Sequence, residues 1–127
     1  MNPEDEIPAD VRGFLRACIR SVGHMEALVL LMEGPNQVWT ESSVAGRLYV
    51  PEASARSFLR DLAAAGLLDG SGAPERWLFA PSDAALVDQA SRAVLLYRQR
   101  LLPMTRLIRA RDDAAAQLAD AFRIRKD

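Results

Sequence analysis

Apolar side chains recur at helical spacing along most of this 127-residue chain. Steps of three and four residues link the apolar positions from Val11 to Val22, and the same spacing returns in later segments. The segment from His24 to Glu33 is apolar around most of its circumference, which indicates a buried central helix. Glycine and proline interrupt the pattern at Gly34-Pro35, at Gly66 and in residues 69–74. The sequence therefore predicts several short helices with a small β element among them.

The middle of the chain predicts a short helix, a turn, a longer helix and a β-hairpin, in that order. Thr40 is a suitable N-cap for the short helix, and Tyr49-Val50-Pro51 forms the turn. The longer helix runs from Pro51 to Ala65, and Gly66 supplies the residue after its C-cap. The residues that these two helices are expected to bury are Val44, Ala45, Leu48, Ala55, Phe58, Leu59 and Leu62. The two strands, on either side of a glycine-rich turn, are Leu67-Leu68 and Arg76-Trp77-Leu78-Phe79.

Several boundaries are expected at capping or breaking residues. Asp10 is placed to cap the first helix, and Ser82 is placed to cap the long helical region that follows Pro81. Gly23 interrupts the apolar pattern and separates the first two helices. The segment Gln37-Val38-Trp39 leaves room for one short strand only.

Charge is distributed unevenly along the chain, although the net charge is only −1. Residues 1–10 carry −4, residues 11–97 carry −1 and residues 98–127 carry +4. The near-neutral total excludes a broadly cationic protein that binds nucleic acid through bulk charge alone, but it leaves room for a local basic face.

The cellular compartment is expected to be the cytoplasm. The longest strongly apolar run, Ala27 to Met32, is far shorter than the ~20 residues of a membrane-spanning helix, so no membrane association is expected. The opening residues do not resemble a signal peptide. Cys18, the single cysteine, cannot form an internal disulfide, which fits a reducing compartment.

The segment from about His24 to Pro81 resembles the winged helix-turn-helix module of bacterial MarR-like and PadR-like transcriptional regulators. The resemblance implies a mainly α fold with a small β-hairpin wing, and it implies double-stranded DNA as the partner. The chain departs from many DNA-binding members because this module lacks a basic surplus. The residues that carry the resemblance are Trp39-Thr40, Val44-Ala45, Leu48, Val50, Ala55, Leu59, Leu62 and Gly66-Leu67-Leu68.

In such a module, the second helix of the pair enters the major groove and the hairpin reaches the neighbouring backbone or minor groove. If Ala55, Leu59 and Leu62 face the core, the polar residues between them face outward. Arginine and serine there suit bases and phosphates. Gly70 and Gly72 of the wing would permit close approach to DNA. The predicted DNA-binding residues are Thr40, Ser42, Ser43, Ser54, Arg56, Ser57, Arg60 and Arg76.

Two other functions stay open. Small polar residues on a helix are commonly only solvated, and Glu52 and Asp61 would be repelled by phosphate. Winged modules also dock proteins, so the first alternative is a protein-docking adaptor without DNA binding. The second is a sensor of an unidentified small-molecule effector.

The C-terminal region carries a heptad pattern of apolar residues. Pro103 lies inside it and should break or kink the helix near residues 99–102. One interpretation is a helix packed on its own winged domain; the other, which we favour, is a homodimer interface. The interface residues expected are Val87, Ala90, Val94, Tyr97, Leu101, Met104, Ile108, Leu118 and Phe122.

These patterns divide the chain into three regions. We expect an acidic flexible tail at residues 1–10, a winged helix-turn-helix domain at 11–81 and a helical dimerisation region at 82–127.

Catalytic chemistry is not expected. One histidine, His24, and one cysteine cannot supply a zinc set of four nitrogen and sulfur ligands, and no phosphate loop, dinucleotide fingerprint or nucleophile elbow occurs. Asp112-Asp113 is expected to start a last helix, and Trp39 and Trp77 to pack the hairpin onto the core. We therefore predict a non-enzyme with no catalytic residues, metal or cofactor.

Overall fold

A computed structural model of the chain describes residues 7–34, 36–71 and 76–124, with side chains described as far as Asp112. The described chain is mainly helical with one two-stranded antiparallel hairpin, so the predicted fold class is confirmed. The elements are α1 (Ala9–Cys18), α2 (Val22–Glu33), α3 (Glu41–Leu48), α4 (Glu52–Ala64), β1 (Leu68–Ser71), β2 (Arg76–Phe79), α5 (Ala84–Gln99) and α6 (Leu101–Ile124).

Helix α2 lies at the centre and packs against α3, α4, α5, α6 and β2. Its N-cap is Ser21, so the predicted break at Gly23 is wrong and the chain turns over residues 19–21 instead. Gly23 lies inside the helix, and the Phe58 ring occupies the space where a side chain would be. A Cβ at Gly23 would lie 2.3 Å from Cζ of Phe58. The glycine therefore permits close packing of α2 and α4.

Helix α1 packs against α5 and closes the core on one side. Pro8 is the N-cap, so the prediction that Asp10 caps this helix is wrong. The Asp10 carboxylate instead accepts hydrogen bonds from the Arg92 guanidinium on α5. Ile7 is 1% exposed, and α1 begins within the range expected to be a tail. The rest of that range, residues 1–6, lies outside the described residues.

Helices α3 and α4 form the predicted helix-turn-helix. Thr40 caps α3 as expected. Tyr49 ends this helix in the left-handed region at φ 57°, and the Val50 N–H donates to the Ala45 carbonyl at 3.1 Å. Pro51 is the N-cap of α4 rather than its first helical residue. Gly66 follows the C-cap with φ 88°, as its predicted position requires.

The hairpin is anchored by two buried tryptophans. Trp77 on β2 exchanges backbone hydrogen bonds of 2.8 and 2.7 Å with Trp39, so the short strand expected at residues 37–39 is reduced to an isolated bridge. Gly70 faces Trp77 across the hairpin, and a Cβ there would lie 2.6 Å from the indole ring. The absence of a Cβ at Gly70 thus makes room for the Trp77 ring; Gly72 lies outside the described residues.

Helices α5 and α6 are separated at Arg100, so the predicted break near residues 99–102 is confirmed, and Pro103 lies in the first turn of α6. Helix α6 continues through Asp112, so the prediction that Asp112-Asp113 starts a last helix is wrong. The N-cap of α5 is Asp83 rather than Ser82, because the Asp83 carboxylate accepts the Leu86 N–H at 2.8 Å. The heptad pattern mostly serves the chain's own core: Ala90, Val94, Tyr97, Met104 and Ile108 are buried without a second copy.

Two further heptad positions, Val87 and Leu101, remain 42% and 49% exposed. The side chains of Leu118 and Phe122, also expected at the interface, lie outside the described part of the chain.

Candidate nucleic-acid interface

The outward face of α4 carries most of the predicted DNA-contacting side chains. Arg56, Ser57 and Arg60 are exposed there, whereas Ser54 is half-buried. Ala55, Leu59 and Leu62 are fully buried, so the predicted division of this helix into two faces is observed. Arg76 is exposed at the start of β2. The face is therefore geometrically accessible to a groove of DNA.

The hydroxyl groups at the start of α3 are committed to local capping. The Thr40 hydroxyl accepts the Ser43 N–H at 3.1 Å, and the Ser43 hydroxyl accepts the Thr40 N–H at 2.9 Å. This reciprocal pair is a capping box and satisfies two donors at the helix start. A phosphate at this end would meet Ser42, the remaining exposed serine, more readily than Thr40 or Ser43.

Arg56 is held by an acidic partner from the neighbouring helix. Its Nε donates to Oε2 of Glu41 at 2.8 Å, which joins α4 to the first turn of α3. The Arg56 side chain is 47% exposed, so solvent weakens this ion pair and the guanidinium can exchange it for another anion. Glu41 therefore orients Arg56, and another anion would have to displace it.

Charge on the helix-turn-helix and hairpin is balanced. Within the four described elements α3, α4, β1 and β2, four arginines face four carboxylates. These groups are Arg47, Arg56, Arg60 and Arg76 against Glu41, Glu52, Asp61 and Asp69. These four elements therefore carry no net positive charge.

Asp61 points its charge toward α2 rather than toward a groove. Its Oδ2 lies 2.8 Å from Nε2 of His24, a buried residue, and 3.9 Å from Nη1 of Arg20. The Ser21 hydroxyl lies 2.6 Å from Nδ1 of the same imidazole. In the neutral ring, Nε2–H donates to Asp61 and Nδ1 accepts from Ser21, which satisfies both nitrogens.

The order serine, histidine, carboxylate is that of a hydrolase triad, but its setting here is structural. The Ser21 hydroxyl caps α2 by accepting the His24 N–H at 3.3 Å. The imidazole packs against Phe58 with ring centroids 4.8 Å apart. The contacts of His24 with Asp61 and Phe58 join α2 to α4. They fix the orientation of α4, which carries Arg56 and Arg60.

Sequence reasoning missed two exposed groups beside the turn. The Arg47 guanidinium lies 5.7 Å from the centroid of the buried Trp39 ring, a cation–π contact. Tyr49 is 94% exposed and borders a cleft of about 360 Å³. The sequence signal for Tyr49 was an aromatic residue in the turn between two helices, and its side chain is exposed there. The cleft is lined by Val22, Gly23, Glu26, Arg47, Leu48, Tyr49, Val50 and Phe58.

The remaining candidates for chemistry are buried or isolated. Burial raises the pKa of the Cys18 thiol, so it stays protonated and packs as a small apolar residue. Trp39 and Trp77 pack the hairpin as predicted. Across the ranges that the structure describes, no three metal-ligating side chains converge. None of the helices there is long and apolar enough to cross a bilayer.

Comparison with known proteins finds no family model and no curated protein that matches this chain.

Proposed function

We propose that this chain is a DNA-binding transcriptional regulator of the bacterial winged helix-turn-helix type, and that it acts in the cytoplasm as a homodimer. The observation that carries the proposal is the exposed face of α4. Arg56, Ser57 and Arg60 project from a helix whose opposite face is fixed in the core. A hairpin with an exposed Arg76 lies beyond the same helix. This is the arrangement with which a winged module reads a major groove.

Binding requires Arg56 to exchange one anion for another. In the free chain its Nε donates to Glu41. On DNA the guanidinium would donate to a phosphate or to a guanine, and Glu41 would stay nearby as a competitor. Binding should therefore be sensitive to salt, in proportion to the number of phosphates that the arginines neutralise. Each neutralised phosphate adds about −0.9 to the slope of log K against log salt.

The test is selection from random duplexes followed by fluorescence anisotropy with the selected site. Arg56→Ala and Arg60→Ala should each weaken binding by roughly 1–3 kcal/mol if the side chain reads a base. Arg98→Ala is the matched control, since Arg98 is an exposed arginine on α5 that pairs with Glu33. Failure of selection to return a site, or equal affinity for all four proteins, would refute the proposal.

The proposed dimer would use the apolar residues that the chain leaves uncovered. Leu95 on α5 and Leu102 on α6 are 56% and 64% exposed, and Val87 and Leu101 on the same two helices are exposed as well. Burying a leucine contributes about 1.5–3 kcal/mol, so two copies of such a patch provide a driving force for association. Two-fold pairing also presents two α4 helices to half-sites about 34–36 Å apart.

Light scattering of the intact chain tests the dimer. Leu102→Asp should shift the mass toward 14.0 kDa, while Val38→Asp, at an exposed apolar position outside α5 and α6, should not. An intact chain that stays at 14.0 kDa at tens of micromolar would overturn the dimer without bearing on DNA binding.

A protein-docking adaptor is the second candidate, and the charge balance favours it. The elements α3, α4, β1 and β2 carry as many carboxylates as arginines, and one of the arginines, Arg56, is already paired with Glu41. The exposed Tyr49 beside its cleft is the kind of aromatic anchor that protein interfaces use. If docking is the function, selection returns no DNA site, whereas a peptide library returns sequences whose binding is lost in Tyr49→Ser.

A further inference from the structure

Three arginines converge in a cleft between α1 and α6, away from the helix-turn-helix. The cleft holds about 370 Å³ and is lined by Arg12, Arg16, Arg111, Ala9 and Leu107. Ligand pockets commonly hold about 300–1,000 Å³, and this cleft lies near the lower end of that range. Neither helix packs extensively against α3 or α4. The cleft is therefore separate from the proposed DNA-reading face.

The positive charge in the cleft is not neutralised by the described part of the chain. No described carboxylate lies within ion-pair distance of Arg12, Arg16 or Arg111. Asp10, the acidic residue nearest in sequence on α1, is instead bound to Arg92 on α5. Burial lowers the pKa of Arg111, and the positive charge of Arg16 lowers it further. Like charges held together without a counterion favour an anion between them.

Arg111 is positioned by the backbone of α1. Its Nη2 donates to the Arg16 carbonyl at 2.8 Å, which fixes the guanidinium at the cleft wall. Its Nη1 is buried and has no hydrogen-bond partner in the described structure. A buried donor without an acceptor is unfavourable, and an acceptor brought by a ligand would satisfy it.

We propose that this cleft is a binding site for a small oxyanion, a molecule that carries a phosphate or carboxylate group. Arg12 and Arg16 lie one turn apart on α1 and approach the anion from one side. Arg111 lines the cleft from α6, on the other side. Guanidinium groups bind both kinds of oxyanion through paired N–H donors. The bound ligand would contact both α1 and α6 and so connect these two helices. The site does not depend on the proposed DNA binding.

The experiment is isothermal titration calorimetry of the full chain, without DNA and at constant ionic strength, using pyrophosphate and citrate as probes. Arg12→Gln and Arg16→Gln keep a polar side chain and remove the charge. Arg106→Gln is the matched control because Arg106 is an exposed arginine of α6 outside the cleft. Loss of one charge-assisted hydrogen bond should weaken binding about ten- to a hundredfold in the two cleft variants and not in the control.

Either probe binding with this variant pattern supports the site, and the tighter of the two identifies the ligand as phosphate-bearing or carboxylate-bearing. Thermal unfolding gives a second readout, since a ligand that binds the folded chain raises its Tm and should do so less in Arg16→Gln. The proposal would be overturned if neither probe gave a binding heat or a Tm shift at about ten millimolar, a concentration that occupies even a weak site. Equal weakening by Arg106→Gln would also overturn it, because it would show nonspecific charge attraction.

Discussion

The hydrogen bonds of His24 predict how strongly α2 and α4 are coupled. His24→Ala removes a 2.6 Å contact with Ser21, a 2.8 Å contact with Asp61 and the ring contact with Phe58. Each hydrogen bond contributes about 0.5–1.5 kcal/mol, and the ring pair contributes a similar amount. Because the Asp61 side chain is 29% exposed, its hydrogen bond contributes a free energy at the lower end of the range for one bond. We expect a total loss of about 2–4 kcal/mol.

Thermal unfolding followed by far-ultraviolet circular dichroism measures this loss. With an unfolding entropy of about 2.1 cal/mol/K per residue, a chain of this length should lose about 7–15 °C of Tm. Asp61→Asn is the matched control, since its amide oxygen still accepts from Nε2–H of a neutral imidazole. It should cost less than about 0.5 kcal/mol, because the Arg20 contact that it weakens is long and exposed.

A double-mutant cycle with Asp61→Ala decides whether the bond itself is responsible. The coupling free energy between the two alanine substitutions should be about 1 kcal/mol, in the range of contacting pairs. A coupling below about 0.3 kcal/mol would refute the reasoning, because distant sites add within that error. Destabilisation of Asp61→Asn equal to that of Asp61→Ala would instead show that the imidazole is charged and that the tautomer assignment is wrong.

Three further changes test packing and titration. Gly70→Ala should displace the Trp77 ring, which lies 2.6 Å from the added Cβ, costing about 1–3 kcal/mol and altering tryptophan fluorescence. Met104→Asp should prevent folding because that side chain is 0% exposed, whereas Val38→Asp, at an exposed position outside the proposed interface, should leave the Tm within about 2 °C; similar Tm values would contradict the assigned burial. Burial, and then the nearby Glu26 carboxylate, raise the pKa of Tyr97, so its contribution to stability is complete below about pH 10 and is lost as pH rises above that. Tyr97→Phe should therefore lessen the alkaline loss of stability, measured by urea unfolding at pH 8 and pH 11; an unchanged difference would contradict the assignment.

Local patterns predicted much of the fold because local forces determine it. Thr40 caps α3, Gly66 takes the left-handed position after α4, and Pro103 separates the last two helices at the expected place. In each case the backbone requirement of one residue type decides the outcome. The failures at Asp10 and Gly23 have a different origin, because a residue from another helix decides there. Asp10 pairs with Arg92 and does not cap α1, and Gly23 packs against Phe58.

The candidate site was predictable only as a face of a helix. The apolar spacing of α4 placed Arg56 and Arg60 outward, since buried and exposed sides follow from helix geometry alone. The partner of Arg56 is Glu41, fifteen residues away, and no spacing rule indicates that pairing. The arginine cleft was invisible for the same reason, because Arg16 and Arg111 meet across 95 residues. Long-range contacts of charged groups depend on the packing of whole elements.

The heptad pattern shows where a periodic sequence stops being informative. Apolar residues at steps of three and four require only that one face of the helix be covered, and a second chain or the same chain satisfies that equally. Here α1 and α2 cover α5, and the break at Arg100 lets α6 turn back onto α2. The buried positions Val94 and Met104 are thereby removed from any interface. Leu95 on α5 and Leu102 on α6 are exposed, and the described part of the chain does not cover them. The buried and the exposed apolar residues of this helical region are thus different ones, so substitutions of the exposed residues test the proposed dimer without changing the core.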